Sequence, residues 1–150
     1  MDNTRRLDIP GARGKVEVEG VLGLLYKVRI DGDVVKRKRG AWAVPMRDRS
    51  TGRLTSNGVL PGFQTLRFNG EPILKMGAHV ETAAKIAMFA PVILILFGFI
   101  GAIAAVLMFL TNVLVVKNPQ MPAGMRIGLP VLNAFVMALL LNALIGLPFS

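Results

Sequence analysis

Between Lys85 and Lys117 the chain runs for 31 residues, Ile86 to Val116, without a charged side chain. A run this apolar has to be buried in protein or in lipid, and no other feature restricts the fold so much. As one helix rising about 1.5 Å per residue it would reach about 46 Å, well beyond the roughly 30 Å hydrocarbon layer of a bilayer. Pro91 offers a place for the excess to bend, and a helix starting near Val92 still has about 25 residues, enough to span with some tilt. The pattern predicts an interfacial segment over 78–91 and a transmembrane helix over 92–116. A second uncharged run, Ile127 to Ser150, has Pro130 near its first turn and closes on Gly146, Leu147 and Pro148, which predicts another transmembrane helix over 127–148. The Pro- and Gly-rich connection over 117–126 makes the two spans an antiparallel hairpin.

Charge is segregated from this region. The chain carries 18 Lys and Arg against 9 Asp and Glu, yet residues 86–150 hold only Lys117 and Arg126. That distribution excludes a uniform globular domain, and the Val, Ile, Leu, Phe and Trp of residues 1–85 exclude a disordered basic tail. With no cysteine there can be no disulfide framework, Cys-ligated zinc or thiol nucleophile. The first 20 residues lack the apolar core of a secretory signal, so insertion is expected to be driven by the later helices of a protein of the inner or plasma membrane. Two spans and positive-inside counting place both termini in the cytoplasm.

Residues 14–77 read as a β domain, with 1–13 as a flexible N-terminal arm. Lys15 to Glu19 alternates polar and apolar, as a half-buried strand does. Tyr26 to Ile30, Asp31-Gly32 and Asp33 to Arg37 form a predicted hairpin, because Asp-Gly accepts the positive φ values of a type I′ turn. The pattern recurs at an offset of 38 residues, where Leu66-Arg67-Phe68-Asn69-Gly70-Glu71 matches Val28-Arg29-Ile30-Asp31-Gly32-Asp33. With Gly40 to Pro45 as a further strand, the expected architecture is a small antiparallel β-sandwich or rolled sheet followed by a two-helix transmembrane hairpin. Residues 46–61, rich in Ser, Gly and Asn, are expected to be a long loop.

Over 24–76, the order strand, Asp-Gly turn, basic strand, Trp42, Gly62-Phe63 and the hairpin Leu66-Arg67-Phe68-Asn69-Gly70 resembles half of the β-sandwich of the Fas apoptotic inhibitory molecule family. The resemblance covers about a third of the chain and implies a β-sandwich. It carries no function, since that family is soluble.

The basic run Lys36, Arg37, Lys38 and Arg39, extended by Arg47, Arg49 and Arg53, is the candidate binding patch for anionic lipid headgroups or an acidic protein face. The same charges also suit an edge strand protected from aggregation. Nucleic acid is not the expected partner, because Tyr26 and Trp42 with scattered Phe make no stacking platform. In the spans, Gly98, Gly101, Ala102, Ala105 and Asn112 form one small face, and Ala134, Ala138 and Asn142 a comparable one. Such faces let helices approach closely, within the hairpin or between copies. Asn112 and Asn133 are expected at similar depth and to hydrogen-bond, while Asn142 lies on the opposite side of its helix, which argues for a second copy or a partner.

Catalytic signatures are thin. His79 beside Glu81 reads as interfacial, and Gly14-Lys15 lacks the earlier Gly and following Ser or Thr of a P-loop. No cofactor or metal is expected. The expected function is that of a non-catalytic interaction or scaffold subunit that oligomerises or joins a larger membrane complex. A small homo-oligomeric channel and an anionic-lipid-sensing module are the alternatives.

Overall fold

A computed structural model describes residues 3–145, which divide into two compact units meeting at Ala78 and His79. The first is all β. Strands β1 (Thr4–Leu7), β2 (Val16–Glu19), β3 (Lys27–Ile30) and β4 (Asp33–Val34) form one antiparallel sheet in sequence order. Strands β5 (Ala41–Pro45), β6 (Thr51–Asn57), β7 (Thr65–Phe68) and β8 (Glu71–Lys75) form a second, also in sequence order. Alternation turns Val16, Val18 and Val28 of one sheet and Trp42, Val44, Leu54 and Leu66 of the other into a single buried core. Neither sheet closes on itself, and the shared core is what unites them.

The 38-residue offset belongs to whole sheets. Each meander ends in the same hairpin: Asp31 and Gly32 (φ 52° and 91°) join β3 to β4, and Asn69 and Gly70 (φ 49° and 96°) join β7 to β8. Both are the positive-φ pairs that a type I′ turn needs. Two expectations change. Residues 4–7, read as part of a flexible arm, pair with β2, Leu7 entering the core opposite Val16. The long loop expected over 46–61 is interrupted by β6, which spans seven residues. Its Gly, Ser and Asn conceal a strand with only Leu54 as apolar signal. Gly52 is required there because a Cβ would collide with the ring of Phe68.

The second unit is helical and apolar. It contains α1 (Thr82–Ala87), a 3-10 helix (Ala90–Phe97), α2 (Gly98–Lys117) and α3 (Ala123–Ile145). Among the described residues, the helical stretches Thr82–Lys117 and Ala123–Ile145 are long and apolar enough to cross a membrane. Only 17% of the most apolar window of each is buried, whereas the core helix of a water-soluble protein is mostly buried.

Thr82–Lys117 is not one rod. The Asn112 Nδ2 donates to the Met88 carbonyl at 3.3 Å, although the two residues are 24 apart. In a straight helix they would lie about 36 Å from each other. The rings of Phe89 and Phe109 are 5.1 Å apart, and His79 Nε2 donates to the Lys117 carbonyl at 3.0 Å. Leu94 is buried against Ala105. The chain therefore reverses at Gly98, whose φ of 71° with ψ of −149° is a combination open essentially to Gly alone, and the leg from His79 to Phe97 returns along α2. The span expected over 92–116 is corrected accordingly: 92–97 belong to the returning leg, and the helix starts at Gly98. The segment 78–91, read as interfacial, contains α1 and the buried Met88.

The connection after α2 is shorter than expected, because α3 begins at Ala123 and incorporates Gly124, Met125 and Arg126. Arg126 secures it by donating through Nε to the Met121 carbonyl and through Nη2 to that of Pro119. Leu141 of α3 shares a cluster with Leu94 and Ala105, so Ile145 lies toward the Gly98 end of the unit. Gly146 to Pro148, the predicted end of the second span, lie outside the described residues.

The fold-back has a direct check in this cysteine-free chain. Phe89→Cys with Phe109→Cys should crosslink within one molecule using a short thiol-specific reagent. A straight helix would hold the two sites about 30 Å apart and give no such product.

Candidate functional site

The basic residues singled out from the sequence do not form one patch. After β4 the chain passes through Val35 to Arg37 and turns back at Lys38, where Lys38 and Ala41 exchange both backbone hydrogen bonds (2.8 and 3.0 Å). Arg39 and Gly40 occupy the two positive-φ positions of this turn, at 49° and 80°. The turn places Lys36, Lys38 and Arg39 at the rim of an open cleft of about 770 Å³, and Arg53 of β6 joins them there. Its floor is apolar: Val34 and Val35 with Ala41 and Ala43 of β5, whose alternation sends the Trp42 side chain to the opposite, core face.

The other candidates point elsewhere. Arg37 stacks its guanidinium 5.0 Å from the centre of the Trp42 ring, a contact that closes the indole to solvent. Behind Trp42 stands Tyr26, with ring centroids 5.9 Å apart and its hydroxyl donating to Ser56 Oγ at 2.6 Å. Arg47 lines a different cleft of about 400 Å³ together with Arg6, Arg13 and Lys15, where Asp8 and Asp31 dilute the charge. Arg49 sits in the β5–β6 turn at φ 64°. In that turn the Ser50 hydroxyl and N–H both donate to Asp48 Oδ1, holding the Asp48 carboxyl below its ordinary pKa. Arg53 in the cleft could be anticipated from its charge. The floor could not, because Val34, Val35, Ala41 and Ala43 look like ordinary strand residues.

In the helical unit, Gly101, Ala105 and Asn112 are buried along one face of α2, with Ala102 half-buried beside them. The face is used within the chain. A Cβ at Gly101 would collide with the Leu94 carbonyl, so the returning leg occupies the space the glycine leaves. Ala134 is buried, and Ala138 and Asn142 are half-buried. Asn112 donates to Met88 in place of the expected bond to Asn133. Asn133 is exposed on the rim of a cleft of about 310 Å³ between α2 and α3, shared with Thr111, Asn112 and Met108. Thr111 spends its hydroxyl on the Leu107 carbonyl. Among the described residues no three His, Cys, Asp or Glu side chains are grouped closely enough to hold a metal ion.

No protein-family model, curated protein or solved structure matches this chain.

The Arg37 stack predicts a measurable effect. Arg37→Ala should cost about 0.5–1 kcal/mol in denaturant unfolding and shift the emission of Trp42 to longer wavelength, as water reaches the ring. Unchanged emission would mean that the guanidinium does not shield it.

Proposed function

We propose that this chain is a non-catalytic membrane-anchored interaction module, in which the helical unit inserts into the bilayer and the basic β domain engages partners at its surface. The observation that carries this reading is the distribution of polarity over the helical unit. Large apolar side chains such as Leu96, Phe99, Ile103, Leu107, Phe135 and Leu140 face outward. Charged residues gather at one end, where His79 meets Lys117 and Arg126 binds the following turn. The opposite end, Leu96 to Ile100 together with Leu144 and Ile145, is wholly apolar apart from its backbone.

A unit with one polar and one apolar end suits insertion from a single side. A two-span hairpin with both termini in the cytoplasm leaves Lys117 and Arg126 on the far side from Lys85 and the basic β domain, two charges against the direction that positive-inside counting sets. The fold-back removes that conflict by grouping all three. In this reading the β domain and the 118–122 connection share the cytoplasmic side, the Gly98 turn stays in lipid, and α3 runs away from that side. This replaces the arrangement with both termini in the cytoplasm.

Self-association is a second reading, favoured by Asn133. Its side-chain amide is exposed ten residues into α3, about 15 Å along the helix. An amide at that depth is stabilised by another helix rather than by acyl chains. A channel draws less support, because Thr111 and Asn112 spend their side-chain donors on backbone carbonyls, Leu107 of the same helix and Met88 of the returning leg.

In sealed vesicles, Gln120→Cys and Lys27→Cys should react with an impermeant maleimide from the same side, while Leu96→Cys resists until detergent is added. Labelling of the first two from opposite sides sinks the one-sided arrangement. For self-association, native mass of the detergent-extracted protein should show more than one copy. Asn133→Leu should weaken that assembly by about 0.6–2 kcal/mol, and a monomeric parent protein would dismiss it.

A further inference from the structure

We propose that the cleft over β5 and β6 binds the phosphate-bearing headgroup of an anionic phospholipid, with the glycerol and first acyl carbons resting on the cleft floor. The inference rests on the membrane-anchored reading, since only six residues separate β8 from α1 and the bilayer is thereby within reach. It goes beyond that reading by assigning a defined site and ligand class. The volume, about 770 Å³, suits a small-molecule ligand.

The two halves of the cleft ask for two properties in one ligand. Lys36, Lys38, Arg39 and Arg53 supply four cations, and no acidic side chain lines the cleft. The ion pairs of Lys15 with Glu17 and of Arg29 with Glu19 take up none of these four cations. A bare anion would leave the Val34, Val35 and Ala43 surface wet. A neutral acyl chain would leave the cations unmatched. An anionic amphiphile satisfies both.

Other occupants fit less well. A nucleobase needs an open aromatic face, but Trp42 is 6% exposed and lies beneath Arg37. An acidic peptide adding as a strand needs the free edge of β5. That edge is already occupied at both ends, by Lys38 opposite Ala41 and by Ala12 opposite Met46.

Trp42 is the sole tryptophan and stands in β5 between the floor residues Ala41 and Ala43, so its emission reports occupancy without a label. The full chain in uncharged detergent micelles is titrated with dihexanoyl phosphatidylglycerol, dihexanoyl phosphatidylcholine, inorganic phosphate and a glutamate-rich peptide. Phosphatidylglycerol should change Trp42 emission saturably and more weakly as salt rises. Neutralising Lys38→Gln, Arg39→Gln and Arg53→Gln together should weaken binding by about tenfold or more. Ala43→Leu, which fills the floor and keeps every charge, should weaken it too. Ligand-free emission equal to that of the parent shows that the variants are folded. Equal binding of phosphatidylcholine, equally tight binding of phosphate or of the peptide, or indifference to either variant overturns the proposal. Release of the protein from membranes by alkaline carbonate would instead overturn the anchoring reading, and leaves the titration to be judged by itself.

Discussion

Gly98 turns an apolar run too long for one crossing into two legs that pack side by side, and the helical unit is organised around that reversal. The turn alone would not hold. It is secured by the close approach at Gly101, where the Leu94 carbonyl takes the place of a side chain, and by the amide of Asn112 reaching the Met88 carbonyl. In lipid the second contact matters more than it would in water. The break at Met88 and Phe89, between α1 and the 3-10 helix, takes the Met88 carbonyl out of a regular helical ladder, and hydrocarbon would offer it no donor. Asn112 is thus a structural residue of the fold-back, placed to satisfy a carbonyl that the interruption exposes.

The same reversal sorts polarity. By returning the leg along α2 it brings His79 level with Lys117, and the short connection tied down by Arg126 adds a third polar group to that end. The far end collects Phe97, Phe99, Leu144 and Ile145, none of which interacts well with water. Sidedness here is a consequence of packing: the charges are few, and their grouping depends on which way the chain folds between them.

The β domain solves a different problem, that of building a core from fewer than 80 residues with no covalent staple. Two four-stranded meanders ending in equivalent hairpins each present one apolar face, and together they bury Val18, Val28, Val44, Leu54 and Leu66 completely. Trp42 packs against the tilted ring of Tyr26 and beneath the Arg37 guanidinium, so the largest side chain of the domain is held by two neighbours. Its backbone neighbours Ala41 and Ala43 are small, which leaves room above the sheet. The basic turn at Lys38 closes over that space and makes a cleft from what would otherwise be a flat solvent face.

Much of this was legible in the sequence. Asp31-Gly32 and Asn69-Gly70 specify their turns through backbone preference alone, so both hairpins and their repetition could be read directly. The β2 alternation, the apolar length of the helical region and the segregation of charge are likewise local or compositional properties. Three things were settled by tertiary structure. Strand β6 exists because Leu54 and Gly52 face a core supplied by other strands, which its own polar residues do not reveal. The cleft gathers Lys36 and Arg53 from separate elements while sending Arg37 and Arg47 elsewhere, and linear proximity could not distinguish them. The reversal at Gly98 carries no polar turn signal, since Phe97 and Phe99 flank it. Hydropathy records how apolar a segment is. Whether it runs straight or folds back depends on which side chains, or missing side chains, let its two halves touch.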